Sequence, residues 1–349
     1  MVIDKKVTVI SGGSGNTAIV NALIDLVGID NITILINQYD NGLSTGVCRD
    51  IANVLGPSDA RKNHLKVYKK IYENNLNQDI LNFFEKRVDI ENTEDSINDI
   101  YSLLEKLELG EFFMEYFDRF FDRPNVFNYD LSNFSLSNIL YAEMYADIGL
   151  EETHRIICEK LLHIPDCVVV NSFDNMHLIA TSNSGKAILD EGDIVEWCNF
   201  DDKINQTYLV GNSIHGLNPK AISAINDCDL LVISTGTFWS SIYPTLQYLD
   251  FYKFVNNSKT NKVWFINSEF DKDSYGVTST EFILYAETLG LDISNITVVE
   301  NEDANTELCK HSDEYYFEAY FEFEHLGNVK GKNDTSKIRH TLEGYLSDV

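Results

Sequence analysis

Six short runs of apolar and β-branched residues recur along the chain at 7–10, 32–36, 167–170, 230–233, 263–266 and 296–299, with helical stretches between them. A strand with one wet face alternates apolar and polar side chains, whereas a continuous run is apolar on both faces and has to be covered on both. The runs therefore predict an α/β fold: a Rossmann-like, mostly parallel sheet flanked by helices. A chain of 349 residues is long enough to bury such a core.

Two segments interrupt that rhythm. From Ala60 to Ile148 the pattern is chiefly helical, which predicts one domain over residues 1–349 carrying a helical insertion at about 64–150. A second insertion is expected at about 177–208. There His177-Leu178-Ile179-Ala180, the turn residues Asn183-Ser184-Gly185 and then Ala187-Ile188-Leu189 suggest a β-hairpin. The aromatics of 107–129 read as packing rather than as a base-stacking platform, because they supply large apolar area without a repeated binding unit. Residues 315–324 suit either a solvated helix or an edge strand.

Charge narrows the function classes. With 27 basic against 55 acidic residues the formal charge is −28, which argues against nucleic acid and anionic membranes as partners. No window approaches eighteen uninterrupted apolar residues, and Met1 to Lys6 carry no signal-peptide pattern. Cysteines 48, 158, 167, 198, 228 and 309 are scattered without paired spacing, so the reducing cytoplasm is the expected compartment. In such an acidic chain a phosphate ligand needs local donors or a divalent ion such as Mg2+.

Four polar clusters follow apolar runs or open helices. Ser11-Gly12-Gly13-Ser14-Gly15-Asn16 links a strand to a helix at 17–27, where glycine lets backbone N–H groups approach phosphate. It is neither a complete Walker A nor a complete dinucleotide fingerprint, and an ordinary strand-to-helix turn is the competing reading. Asp40-Asn41-Gly42-Leu43-Ser44-Thr45-Gly46 comes next. Asp40 could bind a divalent ion or act as a base, and Asn41, Ser44 and Thr45 could hold a ligand; alternatively Asp40 caps its own turn. In Ser58-Asp59-Ala60-Arg61, Arg61 could pair with phosphate and Asp59 with a metal, or Ser58 is a helix N-cap and Asp59 a first-turn acid. Thr235, Gly236, Thr237 and Ser240 form the fourth loop, with Phe238 and Trp239 packing inward in the structural alternative. The histidines, among them His64, His177 and His215, show no metal-ligand spacing, and neither H-E-x-x-H nor G-x-S-x-G occurs.

In this order the motifs resemble the 2-phospho-L-lactate transferase superfamily, over roughly residues 6–300. Gly12 to Gly15 match that family's glycine turn, and residues 40–46 are similar to its Asp-Asp-Gly-Gly-Ser-Ser-Gly loop, with Asn41 in place of the second acid and Leu43 in place of a glycine. Ser58 to Arg61 resemble its Gly-Asp-Ile-Arg, Leu136 to Leu140 its Leu-Gly-Asn-Leu, and 235–244 its Pro-Gly-Ser-Leu-Tyr-Thr-Ser-Ile-x-Pro. Residues 267–278 are similar to a late Asn…Gly-Tyr-x-x-x-Asp region without its terminal acid. The segment around His177 is similar to the bacterial branch of gluconeogenesis factors. That resemblance implies a nucleoside diphosphate or UDP-sugar as ligand, Asn138 among the ligand-binding residues, and Mg2+ held by Asp40 and Asp59 as catalytic acids if the chain transfers a phospho-organic group. In the bacterial branch it implies control of carbon metabolism and cell shape instead. A homodimer is compatible with helices exposed beside such a sheet.

Overall fold

The computed structural model describes residues 2–88, 93–267, 271–301, 321–324 and 335–347. They form two compact units, one built from residues 1–37 and 167–349 and the other from Gln38 to Asp166. The second is therefore an insertion that leaves the chain after the second strand and returns just before the third. It extends beyond the helical stretch read at 64–150 in both directions.

The first unit holds a seven-stranded sheet in which every pairing is parallel. Across the sheet the strands run Phe321–Glu324, Thr297–Asn301, Asn261–Phe265, Leu230–Ile233, Val7–Ser11, Ile32–Ile36 and Val168–Val170. All six apolar runs became strands. Val9, Ile10, Ile34, Leu35, Ile36, Leu231 and Val232 are fully buried, as runs apolar on both faces require. The chain moves from Val7–Ser11 outward to one edge through Ile32–Ile36, then returns and moves outward to the other edge from Leu230–Ile233. The order reverses between Val7–Ser11 and Leu230–Ile233, and an open parallel sheet leaves a crevice outside its strand ends at such a point.

Helices cover the sheet where the sequence starts and stops them cleanly. Pro219–Asp227 begins with Asn218, whose side chain accepts the Lys220 N–H, and with Pro219 at the first helical position. Ser279–Leu289 begins with a reciprocal capping box between Thr278 and Glu281 and ends at Gly290, at φ +111°. Thr17–Val27 packs against Thr335–Ser347, a helix the sequence reading did not single out.

The expected hairpin is present and larger. His177–Ser182 pairs antiparallel with Ala187–Ile188 and, over most of its length, with Ile204–Val210. Of residues 315–324, positions 315–320 lie outside the described residues, and Phe321–Glu324 is an edge strand paired with Thr297–Asn301.

The second unit is helical apart from a two-residue antiparallel ladder, Arg87–Val88 with Phe134–Ser135. At its centre lies Leu136–Ile148, buried at every position from Leu136 to Tyr145 and contacted by Leu43–Ala52, Ser58–Ile71, Gln78–Glu85 and Gly110–Phe121. A helix buried all round carries no polar stripe. Most aromatics of 107–129 pack inward: Phe113, Tyr116, Phe117 and Phe120 are buried, and Phe117 meets Phe83 edge-on at 6.5 Å, whereas Phe127 and Tyr129 are exposed. Among the described residues no helix is long and apolar enough to cross a membrane.

Candidate functional site

In the first unit, two of the four predicted clusters meet at the reversal of strand order. Val7–Ser11 and Leu230–Ile233 are neighbours in register, so the turns leaving their C-terminal ends emerge side by side. Thr235 donates its hydroxyl hydrogen to the Gly15 carbonyl at 2.7 Å. A Cβ on Gly15 would sit 3.0 Å from both Gly236 Cα and the Thr235 carbonyl oxygen, so a side chain there would crowd the facing backbone. Gly12, Gly13 and Asn16 are buried, whereas Ser14 and Gly15 face outward ahead of the helix Thr17–Val27.

The second loop is stiffened by its own hydroxyls. Ser240 donates to Thr237 Oγ1 at 2.6 Å, and Thr237 and Ser241 hydroxyls lie 2.9 Å apart. Residues Phe238–Ile242 form a π-helical turn capped at Thr237, so neither Ser240 nor Ser241 begins the helix. Phe238 and Trp239 do pack inward.

Three residues outside the predicted set hold this loop. Asn37, at the end of Ile32–Ile36, donates to the Ser241 carbonyl at 2.8 Å and to Thr245 Oγ1 at 2.9 Å. Asn267 donates to the Gly236 carbonyl at 3.1 Å. Asp273 accepts the Trp239 N–H at 3.1 Å, and burial, helped by the neighbouring Asp271 charge, pushes its carboxyl up to about 8. Asp273 is therefore a neutral acid at pH 7. Asn37 and Asn267 were legible as polar residues closing apolar runs; nothing local in the sequence distinguishes Asp273. Residues 268–270 of the late family-like segment lie outside the described residues.

The other predicted residues fall in the second unit. Asp40 Oδ1 accepts the Gly42 N–H at 2.9 Å, so its self-capping is realised, which leaves its second oxygen to other roles. A Cβ on Gly46 would fall 2.3 Å from the Asn41 carbonyl oxygen, which explains a glycine inside the helix Leu43–Ala52. Leu43 stands at φ +46° with 75% of its surface exposed. That is a left-handed backbone that suits glycine, at the position where the resembling loop has glycine. Asn138 donates to Ser44 Oγ at 3.1 Å and to Thr45 Oγ1 at 3.3 Å, so three predicted residues form one cluster. Arg49, which the sequence reading passed over, is buried and donates to the Tyr39 and Asp40 carbonyls.

Asp59 and Arg61 occupy the first turn of Ser58–Ile71, and both are buried. Pro57, not Ser58, is the N-cap, and Ser58 is already helical. Burial raises the Asp59 carboxyl; Lys62, 3.5 Å away, opposes this and the Asp40 charge adds to it. Burial lowers the Arg61 guanidinium, while Asp40 and Asp59 support its charge. One arm of Arg61 donates to the Phe84 carbonyl at 3.0 Å, and among the described residues nothing accepts from its Nε. Lys66, a turn further on, is brought down to about 7 by burial, with Asp59 opposing. The Asp40 carboxylate, close enough for its charge to act on buried Asp59, makes with it a donor set suited to a hard divalent cation.

The histidines, scattered in sequence, are not scattered in space. His64, His154 and Asp166 of the second unit come together, whereas His177 lies on a strand of the antiparallel sheet. The N–H of His215 donates to the Asp174 carboxylate.

Comparison with known proteins agrees with the fold. The profile of the family described as 2-phospho-L-lactate transferase CofD matches residues 7–331. A protein of Aquifex aeolicus (strain VF5) named "Putative gluconeogenesis factor" is 24% identical over 319 residues, 88% of this chain and 81% of that protein. The protein named "Gluconeogenesis factor" of Bacillus subtilis (strain 168) is 23% identical over 263 residues, 75% of this chain and 67% of its own. A crystal structure of a UPF0052 family member from Bacillus halodurans superposes with a TM-score of 0.68 at 16% identity, covering 98% of this chain and all of that one. That likeness concerns the fold.

Proposed function

The chain belongs to the 2-phospho-L-lactate transferase CofD family, and from that premise we propose that it binds a nucleoside diphosphate or a nucleotide sugar and acts in the cytoplasm as a metabolite-responsive regulator of carbon metabolism and cell shape. The observation that carries the reading is the meeting of the glycine turn with the 235–237 loop at the reversal of strand order, where a side chain on Gly15 would crowd the facing backbone. Backbone N–H groups ahead of Thr17–Val27 suit phosphate oxygens without relying on net charge, and the hydroxyls of Thr235 and Ser240 would join them by turning from the Gly15 carbonyl and Thr237. The names of the two relatives support the carbon-metabolism part of the proposal. The five described cysteines are free thiols, as a reducing compartment allows.

In the second unit Asp40 and Asp59 would hold Mg2+, and Arg61 would add a cationic donor. Asn41 carries no charge where the resembling loop has a second acid, which favours binding over transfer.

Titration calorimetry with UDP-glucose, UDP and GDP, each with Mg2+, tests the reading. Saturable binding that weakens in Asp40→Ala and Arg61→Ala is the expected result; no saturation across the panel would sink it. Retention of both acids favours a second reading, transfer of a phospho-organic group to an acceptor hydroxyl. There a new phosphorus–oxygen bond forms and the bond to the departing nucleoside monophosphate breaks. Chromatographic appearance of that monophosphate would establish transfer; binding without it leaves the regulatory reading.

A further inference from the structure

The second unit contains a cluster that nucleotide binding does not use. His64 on Ser58–Ile71, His154 on Leu150–Ile156 and Asp166 each offer one ligating atom, and the three atoms lie within 4.8 Å of one another. His64 is fully buried and His154 nearly so, whereas the Asp166 side chain keeps about a third of its surface exposed.

Hydrogen bonding orients both rings. His64 Nδ1 is bonded with the Tyr141 hydroxyl at 2.8 Å, leaving Nε2 directed at Asp166 Oδ1, 3.6 Å away. Among the described residues no group hydrogen-bonds to that buried Nε2. His154 Nε2 is bonded with the Tyr145 hydroxyl at 2.7 Å, which in turn accepts from Gln38 Nε2 at 3.1 Å. The Tyr141 phenol holds His64 on the nitrogen opposite Asp166, as the outer partners of metal-binding histidines do to fix ring direction and tautomer. An imidazole nitrogen left bare in the interior costs about 1–3 kcal/mol unless something occupies it.

We propose that His64, His154 and Asp166 bind a divalent transition-metal ion of the zinc class, at a site separate from Asp40 and Asp59. Two imidazoles and one carboxylate suit zinc and its neighbours, whereas Mg2+ takes oxygen ligands. Ligands about 2.0–2.1 Å from a tetrahedral ion stand about 3.3–3.4 Å apart. The 3.6 Å between His64 and Asp166 needs to close by only a few tenths of an ångström, and the rest of the set, which spans up to 4.8 Å, closes as His154 moves in on the ion. Three protein ligands leave the fourth position to water, with the exposed edge at Asp166 as the entrance. The occupied site pins Ser58–Ile71, the helix that carries Asp59 and Arg61 in its first turn, to the point where the chain leaves the unit.

The test titrates the full-length, chelator-stripped protein with zinc chloride against a chromophoric chelator, and with cobalt chloride followed by visible absorption. One zinc equivalent is expected, with tetrahedral cobalt bands and a rise in Tm. Asp166→Asn, at the edge of the cluster and so tolerable to the fold, weakens zinc by about tenfold or more, and His154→Gln does likewise. The Asp40→Asn, Asp59→Asn double variant keeps the zinc equivalent and the cobalt spectrum even if it loses nucleotide binding. No saturable zinc site in the parent protein, unchanged affinity in folded Asp166→Asn, or loss of the site in the double variant would each overturn the proposal.

Discussion

The two units place polar groups in opposite ways. At the strand ends of the first, the candidate phosphate site is built from glycine backbone, the hydroxyls of Thr235, Thr237 and Ser240, and the amides of Asn37 and Asn267, with Asp273 alongside as a neutral acid. The second unit buries ionisable groups outright: Arg49, Asp59, Arg61, Lys66, Glu143, His64 and His154. A cradle of fixed neutral dipoles is set by chain geometry and responds little to pH. A cluster of buried charges depends on every partner remaining in place, because a lone buried charge is expensive. The helical unit is the richer of the two in buried charge, and the first unit buries Asp174, Glu191 and Lys262 outside the glycine turn and the 235–241 loop.

The strongest way to break that comparison is to strip one buried charge of its partner. Glu143, 2% exposed, is held by Arg123 through bonds of 2.6 and 2.9 Å. Arg123→Ala should destabilise the second unit by about 3 kcal/mol. Trp197, Trp239 and Trp264 all lie in the first unit, so tryptophan fluorescence reports on that unit, whereas far-UV circular dichroism is weighted toward the helical one. In urea, the dichroism transition should move to lower denaturant ahead of the fluorescence transition; coincident, unshifted transitions would contradict the reading.

The reciprocal experiment is Gly15→Val. Its side chain meets backbone at 3.0 Å, an overpacking worth about 1–3 kcal/mol. Calorimetric nucleotide affinity should fall while the helical dichroism signal stays. Retained affinity would remove the glycine turn from the site.

Asp273→Asn sharpens the contrast through pH. The folded state keeps a proton on Asp273 up to about 8, while the unfolded chain loses it near pH 4. This group's share of stability is therefore intact below about pH 4, declines as pH rises, and is fully lost above pH 8. Asparagine removes that decline, so at pH 8 Tm should rise by about 2–4 °C or more, with little change at pH 4. Equal slopes of Tm against pH in parent and variant would count against a buried neutral acid.

The smallest effect is expected at Leu43. Glycine relieves its left-handed backbone, a cost of about 1–3 kcal/mol, but adds unfolded-chain entropy, so Leu43→Gly should gain less than about 1 kcal/mol. Denaturant midpoints measure it, and a loss of stability would show that the exposed leucine is held by contacts of its own.

Much of the fold was legible because its signals are local. Each apolar run identifies a strand within a few residues, and Asn218-Pro219 and Thr278 to Glu281 mark helix starts from adjacent side chains. Ile204–Val210 went unread as the main partner of His177–Ser182 because its alternation is weak and its pairing spans more than twenty residues. At the site, the glycine turn and the 235–241 loop stood out as polar punctuation after strands. Arg49, Lys66 and Asp273 did not, since a charged residue in sequence says nothing of its burial.

By itself, the sequence determined that the chain would bury continuous apolar strands under helices and would place flexible, hydroxyl-rich turns after them, because hydrophobic periodicity and glycine's backbone freedom act over a few residues. Tertiary structure alone decided which strands became neighbours and so where the order reverses. It alone pressed Gly15 against Gly236 and brought His64 to His154 and Asp166, which lie ninety or more residues further along the chain. Those outcomes depend on long-range packing, in which burial converts ordinary polar side chains into a neutral acid, a weakened lysine and a bare imidazole.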